Sequence, residues 1–197
     1  LEPIVEAVEV NISSPNTNGL RVFHNPQVLR ELLDGINDSR QRPLAVKLPP
    51  YSGSEPSHED RNRTAALVRE CVGAGVDGLT VSNSRPVTDS RLSVGNGGLS
   101  GKSLLGATLA MVSDVRAEAG SRISINACGG ISIGADAHAA LTAGADTVQV
   151  YTALVYRGPG LVRRINRELL DLMGCPHGAA KPSLPTVPEE GCDDTPN

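Results

Sequence analysis

The chain lacks an excess of charge, a long apolar run and a paired-cysteine motif, and each absence removes a class of function. Its 18 basic and 22 acidic residues, for a formal net charge of −4, are spread along 197 positions. No basic stripe is offered to nucleic-acid phosphates or to an anionic membrane surface. No segment approaches the roughly 18 consecutive apolar residues of a membrane span. The first ten positions carry Glu2, Glu6 and Glu9 where a secretory leader would carry positive charge, so export is not expected. Cys71, Cys128, Cys175 and Cys192 form no C-x-x-C pair. Spacing therefore suggests neither a zinc site nor a disulfide framework, and a reducing compartment is expected. Lysine is scarce too: Lys47, Lys102 and Lys181 are the only ones, which draws attention to each.

What is present is a βα alternation. Short β-branched or apolar runs at Val8–Asn11, Leu44–Lys47, Gly78–Ser82, Ile123–Asn126 and Thr147–Tyr151 are each followed by a segment of helical periodicity. The helices are expected at Pro26–Ile36, Glu59–Gly73, Leu104–Ala119, Ala135–Ala143 and Pro159–Met173. Repeated βα order implies a parallel sheet. The apolar content of 39% suits one domain with a real core. We expect that domain over residues 1–173, with residues 174–197, rich in Pro, Gly and acids, as a flexible tail.

Polar and glycine residues gather at the carboxyl ends of the expected strands, the end where parallel α/β folds bind ligands. Strand-to-helix turns need the same residue types for caps, so each cluster has a bland reading as well. Cys128-Gly129-Gly130-Ile131-Ser132-Ile133-Gly134-Ala135-Asp136, with Ala143-Gly144-Ala145-Asp146-Thr147-Val148-Gln149-Val150-Tyr151-Thr152, has the form of a phosphate grip, in which glycine lets backbone N–H groups approach an anion and a helix N-terminus adds a favourable dipole. Gly97-Gly98-Leu99-Ser100-Gly101-Lys102 is a second glycine-rich loop, with Asn96 where a P-loop would need glycine. Lys102 either adds charge to a ligand or is a solvated surface residue. Asn11-Ile12-Ser13-Ser14-Pro15-Asn16-Thr17 offers amide donors and acceptors beside hydroxyls. No histidine lies near it in sequence, so a Ser-His-Asp triad is not supported. Lys47 ends an apolar strand, where a buried cation calls for an anionic partner.

In order and spacing, N-I-S-S-P-N-T, A-V-K-L-P-P, V-S-N-S, G-G-L-S-G-K, C-G-G-I-S and V-Q-V-Y-T-A resemble the dihydroorotate dehydrogenase family over nearly all of residues 8–172. The resemblance implies an α/β fold, the (β/α)8 TIM barrel, of which the chain holds about the last five βα units. It implies FMN, with its phosphate near Ser100, Gly101, Gly129, Gly130, Tyr151 and Thr152 and its ring near Asn11, Lys47 and Ser82. It implies dihydroorotate, leaving as orotate, held by Asn11, Asn16, Asn83 and Ser84. Ser14 would take the C5 proton while hydride passes to the flavin, with Thr17 assisting the proton's exit. Serine at position 14 resembles the membrane-linked, quinone-using class rather than the soluble class, which has cysteine there. A quinone acceptor and a place on the cytoplasmic side, at the membrane periphery in a full-length protein, follow from that likeness. Asn126-Ala127-Cys128 departs from the glycine-valine-glycine usual in the family.

Family members also carry three further βα units ahead of the part matched here. Five strands cannot close an eight-strand barrel, so we expect an open sheet with unpaired edges and one uncovered apolar face. Such a piece would need a missing N-terminal segment or a second copy of itself to complete it. The competing expectations are a catalytically silent FMN- or phosphate-binding half-barrel and a related flavin barrel acting on another dihydropyrimidine.

Overall fold

The structure, a computed structural model, describes residues 4–14, 17, 19–53 and 55–174. Strands β1 (Val8–Asn11), β2 (Leu44–Lys47), β3 (Gly78–Val81), β6 (Ser124–Cys128) and β7 (Thr147–Gln149) form one sheet in the order β1-β2-β3-β6-β7, every neighbour parallel. Between β3 and β6 the chain adds an antiparallel hairpin, β4 (Arg85–Thr88) and β5 (Asn96–Leu99). Helices α1 (Pro26–Asn37), α2 (His58–Gly73), α3 (Leu105–Ala119), α4 (Gly134–Thr142), α5 (Thr152–Arg157) and α6 (Gly160–Leu172) complete it. This is a partial TIM barrel. The five strands and five longer helices fall within a few residues of their sequence positions; the hairpin and α5 are additional.

Local chemistry accounts for the helix starts. Asn25 accepts from the amides of Gln27 (2.9 Å) and Val28 (3.4 Å), with Pro26 set in the first turn of α1, where a missing N–H costs nothing. Ser57 and Asp60 cap α2 reciprocally: Asp60 N donates to Ser57 Oγ (3.0 Å), and Ser57 N to Asp60 Oδ2 (3.3 Å). Leu29 and Leu33 of α1 are fully buried, and Leu67 and Val68 of α2 belong with Leu44, Val46, Leu79 and Ile125 to one core cluster.

The strands alternate, and this corrects an expectation. Val8, Val10, Leu44, Val46, Leu79, Val81, Ile125, Ala127 and Val148 point to the helix-covered face and belong to the core or pack on it. The opposite face is polar: Glu9, Asn11, Lys47, Thr80, Asn126, Thr147 and Gln149, with the small Ala45 and Gly78 between them. Among the described residues, the sheet therefore has no uncovered apolar face. A side-chain chain crosses this face: Thr80 Oγ1 donates to Glu9 Oε2, Asn126 Nδ2 donates to Thr80 Oγ1 (3.4 Å), and Thr147 Oγ1 donates to Asn126 Oδ1 (3.0 Å). Glu9 reaches β3 over Ala45, whose methyl leaves the room. Closed barrels fill this position with bulky branched apolar residues; here hydrogen bonds hold it.

At the amino ends of the strands one device appears twice. Asp77 in Ala74-Gly75-Val76-Asp77 and Asp146 in Ala143-Gly144-Ala145-Asp146 each accept one amide near the start of a neighbouring strand and an arginine. Asp77 Oδ2 takes Leu44 N (2.8 Å) and Arg40 Nη1 (2.6 Å); Asp146 Oδ2 takes Ile125 N (2.7 Å) and Arg116 Nη2 (2.6 Å). The same arginines donate to Gly75 O (2.7 Å) and Gly144 O (2.8 Å). Burial alone would raise the Asp77 carboxyl, but the Leu44 amide and Arg40 outweigh it and hold the group below its ordinary range. Its stabilising contribution is therefore present above the ordinary carboxylate pKa and fades as pH falls through the lowered native value. Asp77→Ala, which leaves the Leu44 amide without its partner, is expected to cost about 1–2 kcal/mol. Urea midpoints at neutral pH should show that loss, and the gap from the parent chain should close in acid.

Candidate functional site

The carboxyl ends of the strands carry two clusters. The first follows β1. Asn11 Oδ1 accepts from Ser13 N (3.1 Å), Ser13 Oγ (3.2 Å) and Asn83 Nδ2 (3.2 Å). Asn83 Nδ2 also donates to Ser13 Oγ (3.0 Å), and Asn83 Oδ1 accepts from Ser84 N (2.8 Å). Both ends of the Asn83 amide are thus engaged within the protein, and the acceptor end of Asn11 is saturated. The Asn11 NH2 group has no hydrogen-bond partner among the described residues and is available to donate. His24 Nε2 meets Ile12 O at 3.2 Å and ties the loop down, with burial lowering the pKa of its ring.

The two adjacent serines do different work. Ser13 is buried, and its hydroxyl lies among Asn11, Asn83 and the Lys47 carbonyl (3.2 Å). Ser14 is only half-buried, and its Oγ meets the exposed Thr17, whose hydroxyl donates to it at 3.0 Å. Each hydroxyl is both donor and acceptor, so a proton can pass along the pair toward solvent in either sense. A tandem serine in sequence does not reveal which member is committed to structure; the Ser13 network does. Asn16 lies outside the described residues.

Lys47 sits beside Asn11 in the β1–β2 register and beside Thr80 in the β2–β3 register. It is half-buried, and no ion pair among the described residues includes it. Ser82 N donates to Cys128 O (2.8 Å), which joins the end of β3 to the end of β6. Burial pushes the Cys128 thiol up, partly offset by the positive charge of Lys47.

The second cluster is built around glycine. Thr152 Oγ1, at the start of α5, donates to Ser100 Oγ (3.0 Å), and a Cβ on Gly101 would lie 3.1 Å from Thr152 Cγ2. Leu104 N donates to Gly101 O (3.0 Å). Gly129 and Gly130 have φ of +143° and +79°, and Cβ atoms there would stand 2.5 Å from Thr108 Oγ1 and from Leu105 N. The backbone thus approaches α3 as closely as only glycine permits. Tyr151 precedes α5 and is 78% exposed. Ser100, Gly101, Gly129, Gly130 and Thr152 are brought to one place.

Lys102 does not stand free near this cluster. Its Nζ lies 2.5 Å from Asp136 Oδ1 in α4. Sequence reasoning gave no role to Asp136, Ser13, Glu9 or Thr80: Ser13 and Asp136 lie within quoted motifs and Glu9 and Thr80 within expected strands, but their partners come from other segments. The polar members of the strand alternation were the available signal for Glu9 and Thr80.

The chain is similar to known proteins over most of its length. The family model for dihydroorotate dehydrogenase matches residues 1–173. The chain is 40% identical over 173 residues to "Dihydroorotate dehydrogenase (quinone)" of Sphingopyxis alaskensis, covering 86% of this chain and 48% of that one. To "Dihydroorotate dehydrogenase (quinone), mitochondrial" of Mus musculus it is 38% identical over 184 residues, covering 88% and 45%. A crystal structure of DHODH in complex with ferulenol, from Eimeria tenella, superimposes with TM-score 0.74 at 28% identity, covering 86% of this chain and 50% of that chain. The chain spans about half the length of the curated relatives it matches. No helix among the described residues is long and apolar enough to cross a membrane.

Proposed function

Since the chain belongs to the dihydroorotate dehydrogenase family, we propose that it supplies the proton-accepting group and the phosphate grip of an FMN site at which dihydroorotate is oxidised to orotate, with a quinone as the final electron acceptor. The observation that carries this reading is the row at the strand ends. Asn11 with an NH2 group available to donate, the lysine Lys47 outside any ion pair among the described residues, and the Ser14–Thr17 hydroxyl pair stand together there. The residues present fit FMN. Glycine cradles at Gly101, Gly129 and Gly130 admit a phosphate to backbone N–H groups, and the Lys47 ammonium suits a ring that gains negative charge on reduction.

Bound FMN would supply the two-electron acceptor for the substrate's hydride. The remaining work falls to the chain. Asn11 donates to a planar substrate amide or carbonyl, and Asn83 and Ser13 hold Asn11 in that orientation. Ser14 takes the C5 proton and Thr17 leads it to water, since a serine is a poor base without such a path. Lys47 holds positive charge where negative charge develops. Asn16 and Ser84 complete the substrate contacts, and Ser82 and Tyr151 line the cofactor.

The test is optical. Protein expressed from its native reading frame is expected to purify yellow, to bleach when dihydroorotate is added without oxygen, and to regain colour on addition of a quinone. Colour without bleaching would turn the reading toward a binding module or another dihydropyrimidine, and colourless protein that takes up no FMN would remove the flavin.

A further inference from the structure

The two glycine loops of the proposed phosphate grip are fastened by one carboxylate. Asp136 Oδ1 meets Lys102 Nζ at 2.5 Å, and Lys102 directly follows Ser100-Gly101. Asp136 Oδ2 accepts from Ser132 N (2.9 Å), Ser132 Oγ (3.0 Å) and Ile133 N (3.3 Å), directly after Gly129-Gly130-Ile131. Residues 34 apart in sequence thereby join the loop before α3 to the loop before α4. We propose that Asp136 and Lys102 are positioning residues for a phosphate, setting the distance between the Ser100–Gly101 and Gly129–Gly130 backbones. The proposal rests on the reading of this site as an FMN site.

The physical argument turns on where each partner sits. The Lys102 side chain is 60% exposed, and an exposed ion pair on its own contributes little. The Asp136 side chain is 7% exposed and receives three further donors, so it is a fixed anchor to which Lys102 is tethered. Burial would raise the Asp136 carboxyl, but the Lys102 and Ser132 bonds outweigh it and keep the group ionised. The loops also meet through the packing of Gly130 on Leu105 and of Gly129 on Thr108 and Leu104. A clamp that pre-sets two loops favours the ligand that touches both, because less ordering remains to be done on binding. Committed to Asp136, Lys102 is a tether for its loop, and the N–H and hydroxyl groups make the contacts to the anion.

FMN and riboflavin differ by the phosphate alone, so their affinities separate this role from a general one. Both would be titrated, by flavin fluorescence, into flavin-stripped protein expressed from its native reading frame. Asp136→Asn keeps volume and one carbonyl acceptor for the loop amides. It is expected to lower the preference for FMN over riboflavin about tenfold, with riboflavin affinity close to the parent, while loss of the buried charge lowers the thermal midpoint. Lys102→Met, at an exposed position that tolerates change, should lower the same preference about threefold, and Lys102→Arg should restore it. The double variant should be no worse than Asp136→Asn, as for two residues acting as one unit. A preference unchanged in both single variants, or equal losses for the two flavins, overturns the clamp. A parent protein that binds neither flavin, or does not prefer FMN, overturns the site reading and the clamp with it.

Discussion

Ser14→Ala is expected to slow anaerobic flavin reduction by dihydroorotate about 10²- to 10⁴-fold, the range for loss of a positioned proton acceptor, while FMN remains bound. The geometry makes the expectation specific to one of two adjacent serines. Ser13 Oγ is shared among Asn11, Asn83 and the Lys47 carbonyl, so its proton and lone pairs are already committed. Ser14 Oγ has Thr17 as its hydroxyl partner and lies closer to solvent. Removing the Ser14 hydroxyl leaves only the exposed Thr17 to find water instead, so folding stability should stay within about 0.5 kcal/mol. Ser13→Ala should behave in the opposite way, loosening Asn11 and raising KM with a smaller loss of rate. Stopped-flow bleaching of the bound flavin separates the two, and a Ser14→Ala protein that reduces its flavin at the parent rate would take Ser14 out of the chemistry.

Much of this arrangement was legible in the sequence, and the reasons it was legible differ from element to element. The five parallel strands and five longer helices declared themselves because β-branched runs alternate with three-to-four apolar spacing, as in Leu29, Leu32, Leu33 and Ile36. The β4–β5 hairpin did not, because Arg85-Pro86-Val87-Thr88 contains a proline and Asn96-Gly97-Gly98-Leu99 is half glycine, both poor strand signals. Helix α5 is six residues long, too short for periodicity to register. The polar face was visible and was misread. Val8-Glu9-Val10-Asn11 and Leu44-Ala45-Val46-Lys47 alternate with period two, whereas strands buried on both faces read as nearly continuous apolar runs. The division of labour between Ser13 and Ser14, and the tie between Lys102 and Asp136, lie beyond any local pattern because each depends on partners brought in from other strands or loops.

The proposed grip makes its strongest demand at Gly130. Its φ of +79° is one that residues with a Cβ seldom adopt, and an added Cβ would stand 2.5 Å from Leu105 N and 2.8 Å from Leu105 Cα. Those are backbone atoms at the first turn of α3, so no side chain can swing away to relieve the overlap. Either α3 shifts or the loop retreats, and both separate Gly130 from the Gly101–Leu104 turn that faces it. Gly130→Ala is therefore expected to weaken FMN binding by about 100-fold, or roughly 3 kcal/mol, and to cost about 1–3 kcal/mol of stability from overpacking. Gly106→Ala is the matched control. It lies one residue further along the same helix, a Cβ there meets nothing within 4 Å, and alanine should stabilise the helix by up to about 1 kcal/mol with FMN affinity unchanged. Flavin titration and thermal unfolding of the two variants side by side put the phosphate grip to the test. Parent-like FMN affinity in Gly130→Ala would place the phosphate elsewhere, whatever the stability change, because the loop cannot accept the methyl group without moving.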